Sequence, residues 1–299
     1  MKIICIGNAT WDRIYNVTEI PSIATKYFAS SCLEMGGGVA ATAAVAVARS
    51  GAETFLISRI GNDAVGQAIK NELREWGVDC SLFQQYDGRC SSNAVVHVNA
   101  DGERQITVYR DAQLPDDAQW MDASLLEGVD GVLCDCTWSA GALRLLELAR
   151  ERGVPSVVDV DLGGENIAAI LQAAGHVAFS WPALCALTGE TEVERGLRAA
   201  QQHTDGVVYV TRGEEGCWWL EAGVLCHVPA YSVNVVDTTG AGDVFHGALI
   251  FALARGQSSK EAVRYACATA ALKCTRPGGR PGIPDYQQTL DFINTQRKE

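Results

Sequence analysis

No stretch of the chain approaches about 18 uninterrupted apolar residues, so nothing in it reads as a membrane-spanning helix. The apolar run after Lys2 is only Ile3-Ile4-Cys5-Ile6, too short for the core of a secretory signal. Both shortages make a soluble, cytoplasmic protein the expectation. Positive charge is scarce as well: 24 Lys and Arg stand against 36 Asp and Glu in 299 residues, a net charge of −12. A nucleic-acid or anionic-membrane surface is therefore not expected, although local backbone amides can still hold a small anion. A disulfide framework is missing too. The eleven cysteines are an odd number without regular spacing, and several sit inside apolar runs, as buried free thiols of a reducing compartment do. Cys134 and Cys136 share one face of a strand but have no His or further Cys nearby, so no metal–cysteine site is expected. Finally, only Gly7 follows the first apolar strand where a dinucleotide fold needs G-x-G-x-x-G, which argues against that fold.

What is present is ample material for one main core: 47% of the residues are hydrophobic. Residues 2–7 read as a buried strand, with 8–12 as a loop behind it. Gly36-Gly37-Gly38 leads into an Ala-rich helix from Val39 to Arg49, whose small side chains permit close packing. These glycines suit either close approach of a ligand or a tight turn. A strand from Thr54 to Ile60 turns at Gly61-Asn62-Asp63-Ala64-Val65-Gly66 into a helix reaching Trp76, for which Asp63 can be the cap. From Asp130 the pattern alternates: strand 131–136, helix 140–152, strand 156–161, a helix from Gly164 to Ala174, strand 177–180. That rhythm predicts an α/β fold, a doubly wound, mainly parallel sheet with helices on both faces, carrying ligands at the carboxyl ends of its strands. The strand 207–211 runs into Arg212-Gly213-Glu214-Glu215-Gly216, a phosphate-lining loop or a plain turn. A hairpin follows around Glu221-Ala222-Gly223, its Trp218 and Trp219 read as packing.

Two excursions break the rhythm. Residues 13–35 contain short segments such as 13–17 and 26–29, and 93–109 alternate about Asp101-Gly102, a strong hairpin turn. Together, as 13–35 and 90–111, they are expected to form a small β-sheet lid on a single domain spanning 1–299.

The chemistry concentrates in Asp237-Thr238-Thr239-Gly240-Ala241-Gly242-Asp243, where a Gly- and Thr-rich turn enters an apolar helix. Unpaired N–H groups at such a helix start bind anions. Asp243 among them is either first-turn chemistry or a base for a nucleophile attacking a phosphate. His246, one turn on, reads as a packed or hydrogen-bonded residue.

This stretch resembles the C-terminal motif of the PfkB, or ribokinase-like, carbohydrate kinases. The resemblance covers essentially the whole chain, with support from Gly36-Gly37, Gly61-x-Asp63-x-x-Gly66 and Thr211-x-Gly213-x-x-Gly216. It implies a ribokinase-like fold and ATP-dependent phosphorylation of a sugar, with no nucleic-acid or membrane partner and a homodimer formed through the lid. It makes Asp243 the catalytic base and the amides of Gly240, Ala241 and Gly242 the anion hole. Asp12, Gly37 and Gly38 would hold sugar hydroxyls. Thr211, Gly213 and Gly216, with Gly240 and Gly242, would line the nucleotide. Magnesium would accompany ATP, and potassium is implied near Asp237 and the loop around Gly278.

Departures matter too. Ala41 stands where many relatives carry a sugar-holding Asn, and Ser180-Trp181-Pro182-Ala183 replaces an Asn-x-x-Glu motif near the magnesium phosphates. Within the family, the runs 36–46 and 271–280 look most like 6-deoxy-6-sulfofructose kinases, while 108–116 looks like unsubstituted ketohexose kinases. A sulfonate would call for Lys26 and Arg110 as its partners. A sugar- or nucleotide-sensing regulator on the same fold is the alternative.

Overall fold

The structure, a computed structural model, describes residues 1–162 and 165–296. The first half of the chain contains β1 (Lys2–Ile6), β2 (Thr10–Asn16), β3 (Ser31–Gly37), α1 (Val39–Arg49), β4 (Glu53–Ile57), β5 (Arg59–Gly61), α2 (Ala64–Glu75), β6 (Val78–Asp79), β7 (Gln84–Tyr86), β8 (Asn93–Val98) and β9 (Arg104–Tyr109). Then come β10 (Gly131–Asp135), α3 (Ser139–Arg152), β11 (Ser156–Val160), α4 (Ile167–Ala173), β12 (His176–Ser180), α5 (Trp181–Thr188) and α6 (Val193–Ala200). The last part holds β13 (Val207–Thr211), β14 (Cys217–Glu221), β15 (Val224–Val228), α7 (Ala241–Ala254), α8 (Ser259–Cys274) and α9 (Tyr286–Gln296).

Nine strands form the main sheet in the order β15-β14-β13-β12-β11-β10-β1-β4-β6, parallel except for the antiparallel β14 and β15. Side chains of a strand alternate between faces, and β1 shows what that does here. Ile3 and Cys5 enter a core shared with α1, α2, α7, α8 and α9, while Ile4 and Ile6 enter a second core with α3 to α6. Burial on both faces explains why these strands read as continuous apolar runs. The Ala-rich α1 lies against α7 so closely that a Cβ on Gly247 would strike the Ala43 carbonyl. That contact sets the depth of α7, and with it of Asp243.

The lid is a four-stranded sheet of order β3-β2-β8-β9, with β2 and β8 parallel. Its β8–β9 turn carries Gly102 at φ 80°, and Asn99 Oδ1 accepts from the Asp101 and Glu103 N–H groups.

Several boundaries differ from expectation. Asp12 belongs to β2 rather than to a loop, because Thr10–Asn16 pairs on one side with β3 and on the other with β8. Residues 26–29 are not a strand; the neighbouring strand is Ser31–Gly37, so Gly36 and Gly37 pair with Trp11 and Thr10 instead of forming a turn. The helix expected from Gly164 is α4, starting at Ile167; Gly164 lies outside the described residues. Asp63 does cap α2, accepting from Gly66 N–H at 2.7 Å, and its carboxylate also takes Ser91 N–H and Oγ. Trp219 is buried in the core, whereas half-buried Trp218 stacks on His227 at 4.0 Å. Not every cysteine is buried: Cys32 and Cys90 are exposed. No helix among the described residues is long and apolar enough to cross a membrane.

Candidate active site

The turn before α7 is built to present bare N–H groups. Gly240 is the N-cap at φ 72°, a left-handed conformation that a side chain disfavours. The Ala241 N–H is spent within the turn, bonding the Thr238 carbonyl at 3.1 Å, so Ala241 does not offer the open amide expected of it. The N–H groups of Gly240, Gly242 and Asp243 have no acceptor among the described residues. A Cβ on Gly242 would meet nothing within 4 Å, so this side of the turn faces open space. Asp243 Oδ2 folds back to 3.6 Å from the Cβ position of Gly240, which sets the carboxylate beside those amides.

Three more ionisable groups gather below. Asp135 ends β10 and accepts from Asn8 N–H (2.8 Å), Ala40 N–H (3.1 Å) and Thr137 N–H (2.8 Å), tying the loop after β1 to the first turn of α1. Asp159, near the end of β11, meets His246 Nδ1 at 2.6 Å, and both are buried. Burial alone would discharge His246, but Asp159, and beyond it Asp243, hold its pKa above the ordinary value. His246 is thus a buried partner of Asp159. Asp243 is pushed up to about 8, first by burial and then by Asp159, with His246 and Arg280 opposing.

The sign of that shift is testable. A base must be deprotonated to accept a proton, so kcat/KM should rise with pH and level off above about 8, measured from about pH 6 to 9. Because the folded-state value exceeds that of an unfolded aspartate, the same group gives stability present at acid pH and lost as pH climbs through about 8. A profile already flat at about pH 6 would contradict the assignment.

Asp12 sits on β2. Thr10 Oγ1 donates to its Oδ1 at 3.0 Å, and a Cβ on Gly37 would collide with its carboxylate. Asp12 is raised by burial, against Thr10 and Arg280. Gly38 caps α1 at φ 97°, where a Cβ would stand 2.6 Å from the Asn8 carbonyl. Ala41 is fully buried and offers no polar group.

Arg280 is a residue that the sequence reasoning did not single out. Only 1% exposed, it pairs with Glu72 of α2 and donates through Nη2 to the Gly37 carbonyl at 2.7 Å. Its charge acts on both Asp12 and Asp243. The only sequence signal is an arginine inside a Pro- and Gly-rich loop.

Thr211, Gly213 and Gly216 come together where β13 ends, beside the end of β12. Gly213 and Gly216 have φ 51° and 94°, and Arg212 lies over the Trp181 ring at 4.4 Å. Ser180 Oγ donates to the exposed Asp161 at 2.8 Å.

Asp237 is crowded with donors. Its Oδ1 accepts from Thr239 N–H (2.9 Å) and Oγ1 (2.7 Å) and pairs with Arg104 of the lid (3.3 Å), while Oδ2 accepts from Gly278 N–H (2.9 Å). Its carbonyl accepts from Lys273 Nζ at 2.8 Å. Burial would raise this carboxyl, but the Thr239 bonds, Lys273 and Arg104 outweigh it and leave it at about 2. Where the resemblance implied potassium, the oxygens offered by Asp237 accept from N–H and O–H groups, and Gly278 contributes one of those donors. Arg104, which also donates to Thr239 Oγ1 at 2.6 Å, is the lid cation that reaches the nest. Lys26 lies in the exposed segment between β2 and β3 and Arg110 just past β9; neither has an ion-pair partner among the described residues.

Comparison with known proteins gives a consistent result. The model of the pfkB family carbohydrate kinases matches residues 1–285. Fructokinase-1 from Oryza sativa subsp. japonica is 30% identical over 87% of this chain and 88% of its own length. The crystal structure of a provisionally assigned ribokinase from Agrobacterium tumefaciens superposes with a TM-score of 0.93 at 33% identity, covering 100% of this chain and 99% of that one. Arabidopsis thaliana ribokinase, complexed with ribose and ATP, shares the fold at a TM-score of 0.87 and 24% identity, covering 97% and 98% of the two chains.

Proposed function

Because the chain belongs to the pfkB family of carbohydrate kinases, we propose that it transfers the γ-phosphoryl group of ATP to a primary hydroxyl of a ketohexose. The observation that carries this reading is Asp243, a part-enclosed carboxylate folded against the uncapped N–H groups that open α7. Asp12 lies on the sugar side, and the carboxyl end of β13 on the nucleotide side.

In the reaction, Asp243 takes the proton of the sugar hydroxyl as its oxygen bonds to the γ-phosphorus, and the bond to the β-phosphate oxygen breaks to release ADP. Such transfer asks for alignment and for neutralised charge on the moving oxygens. The Gly240 and Gly242 amides supply that neutralisation without a cationic side chain. Asp12, Gly37 and Gly38 hold the sugar. Thr211, Gly213 and Gly216 line the nucleotide. Asp161, which accepts from Ser180 Oγ, offers a carboxylate oxygen that would suit magnesium, while Ala183 offers no side-chain ligand. When bound, magnesium draws charge from the phosphate oxygens.

Fructokinase relatives favour a ketohexose. The lid cations Lys26 and Arg110, without an ion-pair partner among the described residues, support 6-deoxy-6-sulfofructose as the second reading, with the sulfonate as their counter-ion. Exposed Leu33, Ile106 and Val108 on the lid sheet support a homodimer formed there.

An ADP-release screen over ketohexoses, pentoses, nucleosides and 6-deoxy-6-sulfofructose with magnesium tests the reading. A ketohexose, sulfonated or not, should lead. A lead for pentoses or nucleosides would overturn the acceptor class, and binding without turnover on any acceptor would favour the regulator.

A further inference from the structure

Lysine is rarely buried unless it is paired, yet Lys273 is 0% exposed in the last turn of α8. Its ammonium donates to the Asp237 carbonyl at 2.8 Å. Next to it, the Cys274 carbonyl accepts the N–H groups of Val236 (2.8 Å) and Asp237 (3.1 Å). The carboxyl end of a helix favours a cation, so Lys273 is well placed electrostatically as well as by its bond. These contacts clamp residues 236–237 onto α8, and the turn they begin is the one that presents Gly240 and Gly242.

A potassium ion bound here would need oxygen lone pairs around it. The Asp237 carbonyl instead faces an ammonium, and the carboxylate faces Thr239, Gly278 and Arg104. An ammonium carries the same unit charge as potassium and satisfies an oxygen at a similar distance, but it is attached to the chain. We infer that Lys273 is a built-in substitute for a monovalent cation behind the phosphate-binding turn, so that phosphoryl transfer by this protein is not activated by potassium. Lys273 is a positioning residue: it acts on the nest through residues 236–239.

The inference rests on the kinase reading, and the experiment separates the two. The full-length protein is assayed with Mg-ATP and its best acceptor in tetramethylammonium chloride and in KCl at equal ionic strength. Wild-type kcat should agree within about twofold between the salts. Lys273→Met should lose about tenfold or more in kcat in tetramethylammonium, with sugar KM little changed, and KCl should restore much of the loss. Potassium activation of the wild type by about tenfold would overturn the inference, as would a Met variant fully active without potassium.

The unfolding temperature of the wild type gives a readout that does not need turnover or a foldable variant. It should be the same in KCl, NaCl and tetramethylammonium chloride. A rise of several degrees in KCl alone would show a potassium site and overturn the inference. Absence of turnover on every acceptor in both salts would count against the kinase reading, while the salt dependence of unfolding would still decide the role of Lys273.

Discussion

Asp243→Asn should lower turnover by about 10²- to 10⁴-fold, the usual contribution of a positioned general base. Asparagine keeps the size of the side chain and its place beside Gly240 but cannot accept the hydroxyl proton. KM for ATP and for sugar should stay within about threefold, since the free amides, Asp12 and the β13 loop are untouched. Stability separates this from general damage. The wild-type carboxyl is pushed up to about 8 by burial and by Asp159, so the wild type loses folding free energy as pH climbs from the ordinary aspartate value of 3.8 to about 8, a loss that the amide does not share. The melting temperature of the variant should therefore gain on that of the wild type as pH rises through neutrality to about 8, and the difference should stay constant above that. Steady-state kinetics and thermal melts across pH check both halves. Unchanged turnover would remove the mechanism.

Arg280→Met should show the largest loss of stability. Removing one partner of a buried ion pair costs about 3 to 5 kcal/mol, because the other charge stays behind without compensation. Here Glu72 would lose its guanidinium and the Gly37 carbonyl its donor. The consequence reaches the chemistry as well. Arg280 lowers the pKa of both Asp12 and Asp243, so without it the rise of kcat/KM should move to higher pH and sugar KM should increase. Arg280→Lys should recover only part of the loss, since an ammonium cannot span Glu72 and Gly37 as a planar fork does. Thermal unfolding together with a pH–rate profile reads these effects. A melting temperature within about one degree of wild type would show that the pair carries little.

The elements legible in the sequence were those whose signal is local. Helix α1 spans Val39–Arg49 as its Ala-rich pattern predicts, and the β14–β15 hairpin turns at Ala222 and Gly223, both at positive φ. The parallel sheet followed from strand–helix alternation. Strand β2 was partly missed because Asn8 to Asp12 is polar and turn-like, and its extension depends on pairing to β3 and β8, distant in sequence. Helix α5 lacks a marked apolar face, so periodicity gave little warning of it.

The site divides in the same way. The Asp237–Asp243 motif names itself through its glycines, and Asp243 folds back beside Gly240. Arg280 and Lys273 did not, because what makes them important is burial against residues far along the chain. Arg280 meets Glu72 at a separation of 208 residues and Gly37 at 243. A lone Lys at the end of an apolar helix would ordinarily be assigned to solvent. Arg104, on a strand exposed along its length, reaches Asp237 and Thr239 only because the lid folds over the nest.

The most direct test of the account is product stoichiometry. Wild-type protein is incubated with Mg-ATP and each ketohexose, ADP is counted by a coupled assay, and the sugar product is weighed by mass spectrometry, with Asp243→Asn alongside. Equimolar ADP and sugar monophosphate are expected from the wild type, and about one-hundredth or less of that rate from the variant. ADP formed without phosphorylated sugar, or sugar phosphate formed equally fast by both proteins, would contradict it.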